Sequence, residues 1–379
     1  MRGTPLLLLG LLPCSTLAAQ KPDSTQAADT TAVPPPDTAR PAEPARVPEE
    51  PEPRETRRSE SPWRTSYFPY LTGGANDGPV LTFRVRYFQP AAYEDRTTYT
   101  GAFTADAGIS PRGSRQVTVQ FKAPLLWDGW RLVALASAER LARFGYFGVG
   151  NETTFDNDLV DEAQPFLYRV RRTRYRGQAE VTRRLRGPLH LAFMAEVEQA
   201  RFTSLPGPST FVTDVPSGEL EQDDVSGRLA LVYDTRDNEF DTHQGLLLEA
   251  GTQVGSGGDG YTRTYAMLRG YLTVREGTVL AARLTGSGMG GTPTLNARYT
   301  LPGWEHSLRA LGGEQSHRSL DTGRMAGKGT LFVNLEAHHD LLNLGDLGAV
   351  TLLAFLDAGR VFEEESFRLT TEDMKVGGG

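Results

Sequence analysis

The sequence is poor in cysteine and in long apolar runs. It has one cysteine in 379 residues, and beyond the N-terminus no stretch approaches the ~18 consecutive apolar residues of a membrane-spanning helix. A disulfide-stapled fold and a bundle of transmembrane helices are therefore excluded. A membrane β-barrel is compatible with the hydrophobic content of 39%, because only alternate residues of each strand face lipid.

The chain also lacks an excess of positive charge. It has 40 Lys and Arg residues against 47 Asp and Glu residues, which gives a formal net charge of -7. Nucleic-acid binding needs a concentrated basic face, so we expect no nucleic-acid partner. No Ser-His-acid set, phosphate-binding loop or metal-ligand spacing stands out. We predict a protein without enzymatic activity, cofactor, metal site or small-molecule substrate.

The N-terminal part of the chain divides into two segments. Arg2, a leucine-rich run and the small residues of Ser15–Ala19 follow the order of a secretory signal peptide, which we assign to residues 1–19. Cleavage there removes Cys14, the lone cysteine. Residues 20–62 hold ten of the 24 prolines among charged and hydroxyl side chains. Such a segment cannot bury enough apolar surface to fold, so we expect a disordered periplasmic linker.

From residue 63 onward, short runs of residues alternate between apolar and polar. In Leu229–Tyr233, for example, two leucines and a tyrosine share one face. This period of two predicts β-strands, of which we expect about 13 between residues 66 and 360. Residues 63–379 are therefore assigned to one all-β domain.

Two long segments decide between a soluble β-sandwich and a membrane barrel. Phe166–Arg184 and Leu189–Phe202 are longer than the strands of most globular proteins. The first segment carries a row of arginines at positions 169, 171, 172, 174 and 176, and a water-filled lumen accommodates such a row. Together with the export signal, these features predict a transmembrane antiparallel β-barrel in the bacterial outer membrane.

Aromatic residues and connections fit this prediction. Aromatic side chains near strand ends suit the two interfacial girdles of a barrel; they are Tyr67, Phe68, Tyr70, Trp127, Trp130, Tyr146 and Phe147. Long connections, expected outside the cell, are Asn151–Gln164, Leu205–Asp224 and Gly290–Lys328. Short connections between them are expected to be periplasmic turns.

An acidic cluster follows one predicted strand. Asp234, Asp237, Asn238 and Asp241 imitate a calcium loop, but their spacing lacks the alternate ligand positions of such a loop. We interpret them as a turn held by hydrogen bonds from backbone amides to side chains.

Three ordered motifs carry a family resemblance. They are Leu231–Phe240, with Asp234, Arg236 and Asp237; Leu311–Leu320, with Gly312 and Gly313; and Phe355–Phe362, with Phe355, Asp357 and Gly359. In this order and spacing they resemble the bacterial surface antigen barrels of the BamA/TamA superfamily of outer-membrane assembly factors. The resemblance covers Trp63–Gly379.

The resemblance implies a barrel of about 16 strands whose long loop Gly290–Lys328 folds back into the lumen. Arg318 would be the arginine at the loop tip, and Asp357 the inward carboxylate that receives it. A guanidinium inside a barrel needs a partner, and a carboxylate that accepts two hydrogen bonds suits it best. The alternative is that Arg318 is a solvated loop residue.

The chain departs from the family pattern in three respects. Ser319 and Leu320 stand where a glycine and an aromatic residue follow the tip arginine. No periplasmic substrate-binding (POTRA) repeats are recognisable, which indicates a branch without them. After Val361 the next strand begins near Met374 and the sequence ends at Gly379, so about three strands of the implied barrel are missing. We expect a C-terminally truncated gene model.

Two functions are compatible with these observations. The resemblance implies a barrel that assists insertion or translocation of polypeptides or lipids at the outer membrane. Its partners would be outer-membrane lipids, client outer-membrane proteins and periplasmic factors. The alternative is a passive pore or structural surface barrel that has kept the fold without insertase activity.

Overall fold

The computed structural model describes residues 61–73, 78–92, 95–309, 311–343, 349–363 and 370–379. The predicted signal peptide lies outside these residues, and so does the predicted linker except for its last two positions. The strands are β1 (Arg64–Thr72), β2 (Val80–Pro90), β3 (Tyr99–Ile109), β4 (Arg115–Trp127), β5 (Trp130–Gly145), β6 (Arg169–Arg186), β7 (Leu189–Ser204), β8 (Glu219–Asp234), β9 (Gly245–Gly255), β10 (Tyr261–Arg275), β11 (Thr278–Gly291), β12 (Thr300–Leu301), β13 (Leu308–Arg309), β14 (Gly329–Asn343), β15 (Ala349–Phe362) and β16 (Lys375–Gly378).

Among the described residues, helical structure is limited to short pieces in the connections. These are a 3₁₀ turn at Asn157–Leu159, α1 (Thr210–Asp214) and α2 (Leu295–Arg298). Within the described ranges, no helix has the length and apolar character to cross a membrane.

Fourteen strands form one sheet, in which neighbours follow chain order from β1 to β11 and continue with β14, β15 and β16. β12 and β13 form a separate two-stranded sheet within the connection from β11 to β14. The large sheet therefore contains 13 strands between Arg64 and Phe362, the number predicted from the alternating pattern. β16 begins one residue after the predicted position, Met374.

The described residues of 340–351 belong to a different compact unit from the described residues of 58–339 and 352–379. Within the described part of that small unit, the Thr351 hydroxyl donates a hydrogen bond to the Asp340 carboxylate at 2.7 Å. The features below lie in the larger unit.

The large sheet has its polarity inverted relative to a soluble protein. Along β8, Leu229 and Leu231 are 54% and 50% exposed, whereas Asp234 is 1% exposed. Charged residues on the same face as Asp234 are equally buried, among them Arg228 and Glu249 at 2% each. We call this face inward and the apolar face outward. An exposed apolar band over a buried polar interior is the pattern of a barrel in lipid.

Because neighbouring strands run antiparallel, successive connections lie alternately at the two ends of the sheet. Two-residue turns join β4 to β5, β6 to β7 and β10 to β11, with Gly129, Gly187 and Gly277 at positive φ as tight hairpins require. Long connections at the opposite end span residues 146–168, 205–218 and 292–328. We refer to these as the short-turn end and the long-loop end.

Two details of the sequence-based picture are wrong. Tyr146 and Phe147 are each 2% exposed, because β5 ends at Gly145 and both rings pack among loop residues instead of joining an outer girdle. The arginines of β6 do not all face the lumen either. Positions 172, 174 and 176 point inward, whereas alternation along the strand places Arg171 on the outward face.

Candidate functional site: the inner loop and its two anchors

The site is built around the connection of residues 292–328, which we call the inner loop. It leaves β11 at the long-loop end, carries α2 and the β12–β13 pair, and lies against the inward face of the sheet. Asn296 in α2 accepts a hydrogen bond from Arg172 of β6 at 2.9 Å and donates one to Glu198 of β7 at 2.6 Å. The loop is thus held by the polar side chains that alternation directs inward.

The first anchor joins the loop to β14 and β15 through Arg318. Its guanidinium donates to both carboxylate oxygens of Asp357, at 3.0 and 2.6 Å, and its backbone N–H donates to the same carboxylate at 2.8 Å. A third guanidinium bond reaches Glu336 at 2.7 Å. The hydrogen bonds to Asp357 raise the pKa of Arg318 above its usual value. The structure thus brings together the two residues that the family resemblance pairs.

The surroundings of Asp357 complete this anchor. The carboxylate is fully buried and also accepts a hydrogen bond from the Asn334 amide at 2.6 Å. The ring of Phe355 lies under the Arg318 guanidinium, 3.9 Å from its central carbon. Cation–π stacking and several charge-assisted hydrogen bonds fix this arginine in one orientation.

Three motif glycines permit the close packing around the anchor. Gly312 has φ 120°, and a β-carbon there would lie 2.2 Å from the backbone oxygen of Asp321. Gly313 also has positive φ, and its N–H donates to the Leu320 carbonyl at 3.0 Å. Gly359 leaves room for Leu311, whose side chain would be 2.6 Å from an added β-carbon. Leu320, which departs from the family's aromatic residue, packs against the same apolar cluster as Leu311.

The second anchor lies at Trp304 and Glu305, which we call the tip of the inner loop. Arg318, which the resemblance places at the tip, lies in the first anchor instead. The indole N–H of Trp304 donates to the Thr182 hydroxyl at 3.0 Å, and its backbone N–H donates to Glu249 at 2.8 Å. The backbone N–H of Glu305 donates to Glu180 at 3.0 Å. These partners lie on β6 and β9, so the tip is bound to the sheet on two sides.

Arg131 connects this tip to the short-turn end. Its Nε donates to Glu305 at 2.6 Å, and its two terminal nitrogens donate to Glu239 at 2.8 Å each. Its guanidinium also stacks over the Trp304 ring at 4.7 Å. Glu239 belongs to the turn between β8 and β9, so the inner loop extends from the long-loop end down to a short-turn connection.

Charge and conformation mark Glu305 as a specialised position. Its φ is 61°, a left-handed conformation that is uncommon for a residue other than glycine. Burial alone would raise the pKa of the Glu305 carboxyl, but the charge and hydrogen bonds of Arg131 lower the pKa below its usual value of 4.5. The ionised form is therefore the one that the folded tip favours.

Acid should release the tip anchor. Because the pKa of Glu305 is lowered on folding, its contribution to stability is complete above pH 4.5 and is lost as the pH falls through the lowered folded pKa. We expect an acid-induced change in Trp304 fluorescence, measured as the difference between the parent protein and Trp304→Phe. Glu305→Gln, which cannot ionise, should show no such transition. An unchanged acid transition in that variant would contradict the assignment.

The predicted acidic turn forms as interpreted. Asp237 Oδ1 accepts backbone hydrogen bonds from Asn238 at 2.9 Å, His243 at 3.1 Å and Gln244 at 3.3 Å. Arg236 donates to both carboxylate oxygens of Asp234, at 2.9 and 3.1 Å. In the described part of the chain, no hydrogen bond joins this motif to Arg318 or Asp357. The motif shapes the β8–β9 turn, which reaches the loop tip through its own Glu239.

The long-loop end is closed over the base of the inner loop. Arg324 donates to the Thr153 hydroxyl at 2.7 Å, and the Gly150 N–H donates to the Ala326 carbonyl at 2.8 Å. The Tyr146 hydroxyl donates to Asp214 of the next outer loop at 2.7 Å. Three outer connections are thereby tied into one cap.

Sequence reasoning missed the tip anchor and the cap. Trp304 and Glu305 lie in an irregular loop, where no periodicity indicates which face they meet. The available signal was a lone Trp-Glu pair after Pro302-Gly303, in the middle of a connection already singled out by its length. The described residues contain no group of three or more His, Cys, Asp or Glu side chains arranged to hold a metal ion. The arrangement has a structural role: it fixes the inner loop against the inward face of the sheet at two points.

Comparison with known families decides where this architecture belongs. A family profile described as Omp85 superfamily domain matches residues 82–376, which is more than half of the chain. The chain belongs to the Omp85 superfamily. This membership agrees with the family resemblance inferred from the three motifs, and it makes the protein an outer-membrane β-barrel. A comparison with curated protein sequences finds no significant match.

One solved structure shows the same fold at low sequence identity, and a second is reported beside it. BamA from Haemophilus ducreyi lacking POTRA domains 1–3 is similar with a TM-score of 0.52 and 11% identity over 79% of this chain. CdiB from Acinetobacter baumannii matches over 83% of this chain at 10% identity and a TM-score of 0.46. The chain spans 58% of the length of each of these two chains. The Omp85 fold is therefore shared, and the BamA match supports the transmembrane barrel predicted from the sequence.

Proposed function

We propose that this Omp85 barrel assists the insertion or translocation of polypeptides or lipids at the outer membrane. Its partners would be client outer-membrane proteins and the lipids around it, and it performs no bond chemistry. The observation that carries the proposal is the inner loop fastened by Arg318 to the buried carboxylate of Asp357. This Arg318–Asp357 pair, which we call the lock, holds β14 and β15 in register while lipid or polypeptide is inserted or translocated elsewhere on the barrel.

The geometry supports a lock more than a solvated arginine. A solvated side chain gains little from one exposed carboxylate. Arg318 instead makes three hydrogen bonds to a single carboxylate that is withdrawn from solvent, and a fourth to Glu336. Breaking such a buried pair is costly because the remaining charge has no partner.

Insertion of a client barrel into vesicles tests the proposal. Liposomes containing the parent protein should speed the folding of an added outer-membrane barrel relative to empty liposomes. Arg318→Ala and Asp357→Ala should each lower this acceleration by about tenfold, because a charge-assisted anchor is worth about 1.5–3 kcal/mol. Arg309→Ala is the matched control, since it removes an exposed arginine of the same loop, whereas the hydrogen bonds to Asp357 come from Arg318 and Asn334.

The alternative function predicts a different result in the same vesicle experiment. A passive pore or structural barrel would leave client insertion at the rate of empty liposomes, in the parent protein and in every variant. Ion conductance, recorded alongside, would then report whether the cavity of about 700 Å³ beside the inner loop opens into a channel. Steady conductance without client insertion would establish the pore.

A further inference from the structure

Three arginines on the outward face of β4, β5 and β6 form no ion pair with the described carboxylates, since the nearby Glu139 pairs with Arg172 and Arg174 instead. Arg115 on β4 lies directly opposite Arg140 on β5, and Arg140 lies opposite Thr173 on β6. Arg171 is two residues from Thr173, at the diagonal position that long side chains reach. In the described part of the chain, no ion pair or hydrogen bond engages any of these three side chains. The Nε of Arg171 is both buried and unsatisfied.

Without a bound anion, this group of three arginines is energetically unfavourable. Like charges placed directly opposite each other on one face of a sheet destabilise the pairing, and buried guanidinium groups are normally hydrogen-bonded. The neighbouring outward arginine behaves differently. Arg201 on β7 lies at the same end of the sheet and pairs with both Glu219 and Glu221. The Arg115–Arg140–Arg171 cluster therefore lacks the counter-charge that the chain supplies one strand further on.

An apolar groove runs from the cluster along the outward face. Its volume is about 670 Å³, and its walls include Phe83, Val117 and Tyr175. Ala107 and Ala138 form its floor, since Ala107 lies between Phe83 and Val117, and Ala138 between Val117 and Tyr175, in the cross-strand register. A long hydrocarbon chain fits a groove with an apolar floor and aromatic walls.

The position of the cluster along the strand is that of a lipid headgroup. Trp127 and Trp130 pair at the opposite end of β4 and β5. Arg140 is ten residues from Trp130, which at ~3.3 Å per residue and a tilt of ~40° gives about 25 Å across the membrane. That is about the height of the apolar band of an outer-membrane barrel. The outward residues between them are uncharged: Leu132, Ala134, Ala136 and Ala138.

We propose that Arg115, Arg140 and Arg171 bind the headgroup phosphate of an anionic lipid whose acyl chain lies in the adjoining groove. Guanidinium groups bind phosphate oxygens through paired, charge-assisted hydrogen bonds, so one phosphate satisfies the three cations together. The occupant is a lipid because the anion site and the hydrocarbon groove are continuous and lie at membrane depth. The inference does not depend on the proposed function, since a passive barrel would present the same site.

Native mass spectrometry of the full chain released from detergent micelles tests the site. Phosphatidylglycerol and phosphatidylcholine with identical acyl chains are the probes, and folding is checked by the heat-dependent mobility of the barrel in electrophoresis. We expect the parent protein to retain phosphatidylglycerol in preference to phosphatidylcholine. The triple variant Arg115→Gln, Arg140→Gln, Arg171→Gln should lose about tenfold in affinity, which corresponds to about 1.4 kcal/mol.

Two further variants and a competition experiment test whether binding requires both the arginines and the groove. Arg201→Gln removes an outward arginine that already has carboxylate partners, so it should retain the lipid like the parent. Ala138→Trp fills the groove while keeping the arginines and should also weaken retention. Inorganic phosphate at millimolar concentration should not displace the lipid. Equal retention by the parent and the triple variant would overturn the site; displacement by inorganic phosphate, or full retention in Ala138→Trp, would reduce it to an anion site without an acyl groove.

Discussion

Arg228→Met should destabilise the barrel by about 3–5 kcal/mol, the largest effect we expect from a single inward substitution. Arg228 is 2% exposed and pairs with Glu180, whose side chain is fully buried. Replacing the guanidinium with an apolar side chain leaves the Glu180 carboxylate in the interior without its cation. Glu180 also accepts the backbone N–H of Glu305, so the tip of the inner loop should loosen as well.

Urea unfolding in lipid vesicles, followed by tryptophan fluorescence, measures this loss. The double variant Arg228→Met, Glu180→Gln removes both charges and should recover most of the stability, since no unpaired charge is then left in the interior. The exposed pair of Arg201 with Glu221 provides the contrast, because solvent screens it. Arg201→Met should leave the unfolding midpoint where it is. Equal shifts in Arg228→Met and Arg201→Met would show that burial of the pair is irrelevant.

Gly312→Ala should displace the inner loop around the Arg318 anchor. An added β-carbon would lie 2.2 Å from the Asp321 carbonyl oxygen and 2.8 Å from the Arg324 backbone nitrogen, and both contacts are backbone atoms that cannot turn aside. The φ of 120° adds conformational strain for a residue with a side chain. Together these effects should cost about 2–4 kcal/mol, with the strain alone accounting for about 1–3 kcal/mol.

Limited proteolysis at the arginines of the inner loop detects the displacement. Trypsin should cleave Gly312→Ala after Arg318 or Arg324 much faster than the parent, where both side chains are engaged. Gly290→Ala is the matched control, because Gly290 has open space around its α-carbon and no positive φ. It should be cleaved like the parent. Protection of the loop in Gly312→Ala would contradict the tight turn seen at this glycine.

The strand pattern could be read from the sequence because a barrel imposes a strict period of two. The 13 strands of the large sheet up to Phe362 and the onset of β16 follow from alternation alone. Alternation also shows why the prediction that the whole row of β6 arginines faces the lumen is wrong. Arg171 and Arg172 are adjacent, so they must face opposite sides of the sheet, and only three-dimensional contacts reveal that Arg172 is the inward one.

The site was only partly accessible to sequence reasoning. Arg318 and Asp357 could be paired because both belong to family motifs with a defined order. The tip anchor has no such signal, since Arg131 and Glu305 are 174 positions apart and come from a strand and an irregular loop. The position of Tyr146 and Phe147 near a strand end predicts a girdle, but β5 ends at Gly145 and both side chains are buried in the cap. Alternation predicts which residues share a face and cannot predict what an irregular segment packs against.

The two anchors of the inner loop also bear on how fast the chain can fold. Arg318 is 39 positions from Asp357, whereas Glu305 is 174 positions from Arg131. Contacts of long sequence separation close late and slowly, because the entropy of the intervening chain is lost before they form. We therefore expect the inner loop to be fastened first at Arg318, while its tip is still free. The lifetime of this half-fastened loop should then set the rate at which the native barrel appears during refolding.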